Sequence, residues 1–474
     1  MNTGFDGTPW SSLDMSNHLF CGDSPDSASL SGRQLSALLV SMQRVGTTIG
    51  YLLAGFMPNM FGRKRSLQLA VVINSIFLVV LIFANQPAFY AACLTICEAC
   101  NGFTVVNCSA YGVEVIGPKY RVYFGAIVSI ASSLGFVLIT ILAMFLPDRQ
   151  ILTTAMASIF ALNLLYVHAI PESPVWALTK SRFKEARKSI HTLSASLNMH
   201  DQGQVKNYIR RLSNASERRA SIISQIDLAR LQQRQGWRWK LANSSIGQLF
   251  KDKLIRQFTL LSLTTYASVT IANVGSKYYV RKLPGNIYFN SCLTGVAELI
   301  GSLATFPLIR RFGMKNTSMG LNLAAGCSML VTMGLLQSPQ EVTQSAGVYM
   351  SFVAKVLNIG GWSSQVSYIA NLFPSDVRST GIALARLASV FTLVAPLILT
   401  ATWEWLPLAT FGVLSLIGGL LQHFLPDLTD VPMFLSTDDQ QRYFNKVIKL
   451  ERKQILIMLH LGYGNKDNRS KHKT

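Results

Sequence analysis

The sequence contains eleven apolar stretches, each long enough to cross a lipid bilayer as an α-helix. A hydrocarbon core of about 30 Å requires roughly 20 apolar residues in helical form, whereas the strands of a membrane barrel have only about ten residues. Because lipid offers no partner to backbone polar groups, such segments form hydrogen-bonded helices that pack as a bundle. The predicted spans are 34–58, 66–84, 88–112, 121–146, 150–170, 256–280, 287–309, 318–336, 346–372, 380–402 and 406–425.

The basic residues lie mostly on one side of these spans. Of the 43 Lys and Arg, 34 fall in one set of connecting segments, four in the opposite set and five within or at the edge of spans. An excess of Lys and Arg marks the cytoplasmic side, so we predict a cytoplasmic C-terminus and an extracellular N-terminus in a multi-pass protein of the plasma membrane. The same asymmetry explains the net charge of +20 without a nucleic-acid partner.

Three pairs of connecting motifs recur in the same order along the chain. "FGRKR" at 61–65 matches "FGMKN" at 312–316, and "EVIGPKYR" at 114–121 matches "NLFPSDVR" at 371–378. "IPESPVW" at 170–176 matches "LPDLTDV" at 425–431. The nearly equal offsets predict two similar halves, as in proteins built from structural repeats.

The repeat also reveals a difference between the halves, because two spans precede the Phe-Gly turn in the second half and only one precedes it in the first. We therefore predict an all-α membrane protein of two pseudo-symmetric bundles with 11 helices, in which the first of twelve is missing. The predicted parts are an extracellular tail, a five-span bundle, a basic cytoplasmic loop, a six-span bundle and a basic cytoplasmic tail, at 1–33, 34–170, 171–255, 256–425 and 426–474.

These motifs resemble the major facilitator superfamily, over about residues 34–432. Within it, "PGNIYFNSCLTGVAELIG" at 284–301 and "YIANLFPSDVRSTG" at 368–381 resemble the organic cation and anion transporters. The resemblance implies a solute carrier that moves a small organic cation, anion or zwitterion across the bilayer by alternating access. Two alternatives remain: a sugar-porter-like transporter, although paired glutamines are missing from "FTLLSLTTYASVTIANVG", and a truncated member that does not transport.

The resemblance further implies that the cytoplasmic turns form a gate. The family's acidic residue before the Gly-Arg-Lys turn is replaced by Asn59, a glutamate by Asn371, and an arginine of the fourth helix by Glu98, which argues against proton coupling. We expect Arg63 or Lys64 to pair with a carboxylate such as Glu114, unless these are interface charges that reach to water. The gate candidates are Gly55, Asn59, Gly62, Arg63, Lys64, Glu98, Glu114, Arg121, Arg311, Gly313, Lys315, Asn371 and Arg378.

Charged residues inside spans are costly, at roughly 2.5–3.5 kcal/mol each at a helix centre on insertion scales, and are candidates for function. Glu298 and Lys355 occupy positions where the family places charges, and each is either structural or in contact with substrate. Arg386 resembles the basic residue of anion and zwitterion carriers, about one turn early, and favours such a substrate. The candidate cavity residues are Arg44, Asn101, Asn107, Tyr111, Tyr266, Asn273, Lys277, Glu298, Lys355, Trp362, Gln365, Tyr368 and Arg386.

Other classes of site find less support in the sequence. Cys93, Cys97 and Cys100 share one helical face, which we interpret as small residues for helix packing and not as a metal site. No His-Glu-x-x-His motif or phosphate-binding glycine loop is present, so we predict neither an enzyme nor a cofactor. In the cytoplasmic loop, 181–193 has helical spacing, and "RRAS" at 218–221 is a short match to a kinase site.

Overall fold

The computed structural model is helical, and the residues that it describes contain no strand. The predicted extracellular tail, most of the cytoplasmic loop with the kinase-like motif, and the end of the chain lie outside the described residues. Those described are 32–116, 120–146, 148–180, 182–196, 245–251, 253–279, 287–393, 405–428, 431, 434 and 437–446.

The first bundle consists of five long helices that overlap the first five predicted spans. Their starts follow local chemistry: Pro87 occupies the first position of α3, where its missing N–H costs nothing. The Asp148 side chain accepts a hydrogen bond from the Gln150 N–H and caps α5. The helices are α1 (Gly32–Phe61), α2 (Arg63–Ile82), α3 (Pro87–Val115), α4 (Phe124–Phe145) and α5 (Arg149–Ala169), with a 3₁₀ turn at Arg121–Tyr123.

The described residues of the predicted cytoplasmic loop form three shorter helices. They are α6 (Pro174–Thr179), α7 (Phe183–Ser196) and α8 (Ser245–Lys251). The predicted helical spacing of 181–193 agrees with α7. Ser173 caps α6 by accepting a hydrogen bond from the Trp176 N–H, and Pro174 stands at the first helical position. The motif "PESPVW" is therefore a helix start.

The second bundle overlaps the other six predicted spans. It consists of α9 (Lys253–Tyr279), α10 (Ile287–Leu336), α11 (Glu341–Leu372), α12 (Arg378–Leu387) and α13 (Leu406–Gln422). Helix α10 joins two predicted spans across non-helical backbone at Gly313. After α12 the chain tightens into a 3₁₀ helix at Ala388–Leu393 instead of the predicted α-helix, where Val390, Phe391 and Thr392 are residues of lower helix propensity.

The described part of the C-terminal tail packs onto the second bundle. Residues 437–446 are helical and form α14. The Gln440 side chain donates a hydrogen bond to the Leu372 carbonyl, and the Ser375 N–H donates to the Phe434 carbonyl. The first part of the predicted basic tail is therefore held by protein contacts.

The two predicted repeats share unusual backbone geometry. Gly62 and Gly313 have φ values of 106° and 80°, which favour glycine because it lacks a Cβ. The residues that follow them, Arg63 and Met314, are both buried, and their carbonyls accept hydrogen bonds from Asn107 and Ser364 at 2.9 and 3.0 Å. We call the face that carries these turns the turn face.

A second pair of contacts repeats in the same way. The Tyr111 hydroxyl donates to the Pro171 carbonyl at 2.9 Å, and the Tyr368 hydroxyl donates to the Pro426 carbonyl at 2.8 Å. The prolines are the second residues of the matched motifs at 170–176 and 425–431, and each tyrosine lies three residues before one of the matched motifs at 114–121 and 371–378. The repeat seen in the sequence is therefore also a repeat of hydrogen bonds.

The bundles meet along α1, α3 and α4 of the first half and α9 to α12 of the second. Gly125 on α4 packs against the Ser363 carbonyl, and its N–H donates to the Ser367 hydroxyl at 2.7 Å. Tyr123 stacks on Phe306 with ring centroids 5.4 Å apart. A buried apolar cluster extends from Val106 to Ile382 across this boundary.

The outer surfaces of the helices are apolar. Five helices of the described chain are long and apolar enough to cross a membrane by length and composition. Leu138 on α4 and Leu165 on α5 are 47% and 73% exposed. Exposure of such apolar side chains to water is unfavourable, and their transfer into lipid lowers the free energy. The outer surface therefore fits a lipid environment.

Candidate functional site

A buried carboxylate at the turn face links the two halves. Glu114, near the end of α3, lies 3.2 Å from the Arg63 guanidinium on α2 and 3.3 Å from that of Arg378 at the start of α12. All three side chains are at most 1% exposed. The Ser173 hydroxyl also donates to Glu114. Two cations and a hydroxyl therefore satisfy one buried carboxylate, a condition for a buried ion pair to be stable.

An amide beside this cluster makes a second link between the halves. The Asn59 Oδ1 accepts a hydrogen bond from Arg63 at 2.8 Å, and its Nδ2 donates to the Thr380 hydroxyl at 3.2 Å. Thr380, on α12, donates in turn to the Gly55 carbonyl on α1 at 2.8 Å. Asn59 thus provides an amide donor across the interface, where the resemblance to the family leads us to expect an acidic residue.

A second carboxylate caps the start of α2. Glu172 Oε1 accepts hydrogen bonds from the backbone N–H groups of Arg63 and Lys64 at 2.8 and 3.0 Å. A negative charge at a helix N-terminus satisfies unpaired N–H groups and interacts favourably with the helix dipole. A Cβ at Gly62 would lie 2.6 Å from Glu172 Oε2, so this position requires glycine for space as well as for its φ value.

The other gate candidates lie outside the cluster of Glu114, Arg63 and Arg378. Lys64 is not paired with a carboxylate in the described contacts, because its Nζ donates to the His168 carbonyl. The Asn371 side chain donates to the Arg121 carbonyl at 3.4 Å across the halves. Exposed Arg311 lies over the Phe312 ring, and Lys315 is half-buried. Glu98 lies deeper in α3, near Arg44 and Asn101, and not at the turn face.

The second half contains a charge triad, which we define as Glu298 with Lys277 and Lys355. The two ammonium groups lie 3.0 and 3.1 Å from the same oxygen, Glu298 Oε1. Glu298 is 1% exposed and the Lys355 side chain 4%, whereas the Lys277 side chain is 31% exposed. The triad therefore combines two fully buried charges with one that reaches an accessible region.

The depth of the triad follows from the helix rise of about 1.5 Å per residue. Glu298 lies about 16 Å from the start of α10, which begins at the face opposite the turns. The Lys277 Nζ lies 5.3 Å from the centre of the Phe136 ring. Phe136 itself lies about 18 Å along α4 from the start of that helix, which is at the turn face. Glu298 thus lies near mid-depth, and Lys277 reaches it from a backbone position two residues before the end of α9.

Arg386 lies between the triad and the turn face. Its guanidinium donates to the Ser109 hydroxyl on α3 at 3.3 Å and lies over the Tyr266 ring on α9, 5.9 Å from the centroid. Arg386 is 4% exposed. Because its contacts come from both halves, movement of the halves changes its surroundings.

The remaining cavity candidates fall into two groups. Asn101 hydrogen-bonds Asn74, and Asn273 binds the Lys355 ammonium, so these two support buried charged or polar groups. Four others form hydrogen bonds between structural elements: Asn107, Tyr111, Gln365 and Tyr368. The structure does not bring these four together with the triad.

Sequence reasoning missed several residues at the boundary between the halves. Phe136, Ser109 and Thr380 contact Lys277, Arg386 and Asn59, and no local pattern distinguishes them from packing residues. Asn358 is completely buried, one turn from Lys355, and both polar atoms of its side chain are without a hydrogen-bond partner in the described chain. In the sequence, the position of Asn358 one helical turn after the intramembrane lysine Lys355 was the signal that could have identified it.

The cavities near these residues differ in character. A cavity of about 30 Å³ adjoins Lys355 and is lined also by Ser276, Thr294 and Thr332, which is room for about two waters. A larger cleft of about 280 Å³ lies between α1, α2 and α3, and hydrocarbon side chains such as Ile49, Leu53 and Leu69 dominate its lining. The cavity beside Lys355 is too small for an organic ion, and its lining residues belong to the second half alone.

Comparison with known proteins agrees with this architecture. The model of the family described as sugar (and other) transporter matches residues 2–421. The chain belongs to this family. It is similar to an organic cation transporter protein of Drosophila melanogaster, 26% identical over 87% of this chain and 72% of that protein. The human organic cation/carnitine transporter 2 is 24% identical over 85% of this chain and 69% of that protein.

A third relative and two solved structures extend the comparison. Rat solute carrier family 22 member 3 is 24% identical over 71% of this chain and 56% of that protein. The structure of the proton:xylose symporter XylE of E. coli matches with a TM-score of 0.70 at 15% sequence identity. The match covers 90% of this chain and 92% of the XylE chain. The human organic anion transporter MFSD10 gives a TM-score of 0.51 at 15% identity, over 83% and 86%. These structures establish the fold.

The chain is thus a multi-pass transporter of the major facilitator superfamily, and its relatives within it include the solute carrier family 22 transporters. This confirms the family resemblance seen in the sequence. The family consists of transporters, so the contacts between the halves are those that alternating access makes and breaks.

Proposed function

We propose that this protein carries small organic anions or zwitterions across the plasma membrane. The observation that supports it is the charge triad of the second half, where two lysines, Lys277 and Lys355, share the single carboxylate Glu298 and leave one positive charge in excess. Uncompensated charge in a membrane interior is costly and calls for a partner. A carboxylate on the substrate would supply it.

The polar and aromatic groups nearby fit an organic substrate. Tyr266 and Phe136 present ring faces beside Arg386 and Lys277. The buried Trp362 Nε1 and the Asn358 amide are without a hydrogen-bond partner in the described chain. An unsatisfied buried polar group costs about 1–3 kcal/mol, which a bound ligand or water relieves. The relatives named as cation and carnitine transporters support a small organic ion as the substrate class.

The proposal includes a topology and a division into parts. The basic turn face is cytoplasmic, as is the C-terminus, and the N-terminus is extracellular, which follows from the positive-inside asymmetry. The five-span and six-span bundles of 34–170 and 256–425 form the two moving halves, and their spans correspond to helices two to twelve of a twelve-helix transporter. Of the predicted residues, the charge triad acts as the substrate region, and Asn59, Arg63, Glu114 and Arg378 act as the gate at the turn face.

Uptake measurements test the function directly. Cells expressing the full chain, and cells expressing it with any natural upstream coding sequence, are supplied with labelled benzoate, glycine betaine and tetraethylammonium as anion, zwitterion and cation. Surface biotinylation measures how much protein reaches the plasma membrane. We expect saturable uptake of the anion or zwitterion. Uptake of none of the three, or of tetraethylammonium alone, by protein that is present at the surface would contradict the proposal.

A further inference from the structure

The two lysines of the charge triad are held very differently. The Lys355 ammonium donates to Asn273 Oδ1 and to the Ser276 hydroxyl, both at 3.0 Å, and lies 3.1 Å from Glu298. A lysine has three N–H donors, so these partners occupy all of them. Lys355 is buried within the second half and serves as the fixed counter-ion of Glu298.

Lys277 is anchored to its own half by Glu298 alone among the described residues. Its Nζ contacts both carboxylate oxygens, at 3.0 and 3.1 Å, and its other described contact is the Phe136 ring of the first half, 5.3 Å away. The side chain is 31% exposed. A flexible stem and a compact ammonium allow lysine to change partners.

When the contact between Lys277 and Glu298 breaks, the charge of Glu298 is still neutralised by Lys355. Glu298 keeps Lys355 at 3.1 Å, so no unpaired buried charge results when Lys277 turns away. In contrast, release of Lys355 would leave an ammonium that is 4% exposed among uncharged groups, which is strongly disfavoured. The triad therefore contains one exchangeable cation and one permanent one.

The Phe136 contact ties this exchange to the position of the halves. Phe136 and Val137 lie against α10 at Gly295, where a Cβ would meet Val137 at 2.5 Å, so α4 and α10 are in close contact here. Separation of α4 from α10 removes the ring from the ammonium and exposes Lys277 to the space between the halves. The cation then requires a new partner.

We propose that Lys277 is the substrate-recognising side chain that selects for a carboxylate, while Lys355 holds Glu298 neutral as Lys277 changes partner. This inference rests on the proposed function and assigns its selectivity to Lys277, the most exposed cation of the charge triad. Phe136 acts as the resting partner of Lys277 in the closed arrangement.

The test compares anion and cation uptake by surface-normalised variants, with labelled benzoate and tetraethylammonium as probes. We expect K277Q to lower the benzoate-to-tetraethylammonium uptake ratio at least tenfold and K277R to retain it. F136L removes the ring but keeps the ammonium, so we expect its ratio to equal that of the wild type. R310Q, which removes an exposed cation at the turn face, serves as the matched control and leaves the ratio unchanged.

Two outcomes overturn the inference while the transporter itself stands. These are an unchanged ratio in K277Q and equal losses of both probes in K277Q, measured beside a wild type that takes up benzoate. In contrast, a wild type that moves no labelled ion, or that moves tetraethylammonium alone, contradicts the proposed function itself. K277R preserves the charge of Lys277 and nearly its size. A normal ratio in K277R beside a lowered ratio in K277Q therefore shows that the charge is needed for recognition and that the loss in K277Q is not a folding defect.

Discussion

Glu114 and Arg378, 264 residues apart in the sequence, form a buried ion pair with 3.3 Å between Oε1 and Nη1 that joins the two halves at the turn face. The same carboxylate binds Arg63 of its own half. Opening of this face therefore breaks the Arg378 contact but leaves Glu114 paired with Arg63. Such an arrangement limits the electrostatic cost of the movement, since neither the carboxylate nor Arg63 becomes an isolated buried charge.

Substitution of Glu114 by glutamine is expected to destabilise the protein strongly. It leaves two buried guanidinium groups without a carboxylate, and breaking a buried pair costs about 3–5 kcal/mol. E185Q is the matched control because the Arg182–Glu185 pair is about half exposed, and exposed pairs contribute about 0–1 kcal/mol. Melting temperatures of both purified variants measure the difference. Equal melting temperatures would show that the Glu114 cluster is not a structural link.

Substitution of Asn59 by aspartate is expected to weaken the contact between the halves, although it restores the family's acidic residue. The new carboxylate pairs well with Arg63 but loses the amide donor to Thr380, whose own hydroxyl proton is directed to Gly55. We expect an engineered cysteine at Ala383, which packs against Gly55 of the other half, to react faster with a maleimide in N59D than with Asn59 present. Slower reaction in N59D would indicate that charge matters more than the donor.

Substitution of Gly62 by alanine is expected to destabilise the chain by more than about 1 kcal/mol, because left-handed backbone disfavours a Cβ by about 1–2 kcal/mol. Contact with Glu172 adds to this strain. Gly313 has the same sign of φ, so G313A tests the repeat. The control is G135A on α4, where a Cβ meets nothing within 4 Å. Chemical denaturation of the three variants distinguishes them, and a G62A variant as stable as G135A would be inconsistent with the turn geometry.

The symmetric tyrosines should have unequal energetic effects. Y111F and Y368F each remove one hydrogen bond to a proline carbonyl, a loss of about 0.5–1.5 kcal/mol. Tyr368 is fully buried, whereas Tyr111 is half-buried and water can replace its hydroxyl more readily. We expect the larger loss of stability for Y368F. The double variant should show additive losses in a denaturant titration, and strong coupling would contradict independent roles.

Substitution of Arg386 by glutamine is expected to raise the KM for an anionic substrate at least tenfold. The guanidinium lies between Ser109 and the Tyr266 ring, within reach of both halves. S109A removes the hydroxyl partner but keeps the cation, and we expect a smaller effect on KM. Initial uptake rates over a range of benzoate concentrations provide both constants. An unchanged KM in R386Q would place the anion elsewhere.

The helical bundle, its two halves and its family could be predicted from the sequence because the relevant signals are local. Apolar length defines a span, loop charge indicates topology, and motifs such as "FGRKR" and "FGMKN" repeat with their spacing intact. Gly62 and Gly313 were recognisable for the same reason, since a turn that requires left-handed backbone selects glycine at that position.

Partners could be determined only from the tertiary structure, because they depend on helices that are distant in the sequence. The cation cluster of "GRKR" separates into three environments: Arg63 is buried against Glu114, Lys64 reaches a carbonyl, and Arg65 is exposed. Likewise, Lys277 and Lys355 are equivalent as intramembrane lysines in the sequence. Because Lys355 is buried beside Glu298, it is a fixed counter-ion, whereas the partly exposed Lys277 is able to exchange Glu298 for another partner.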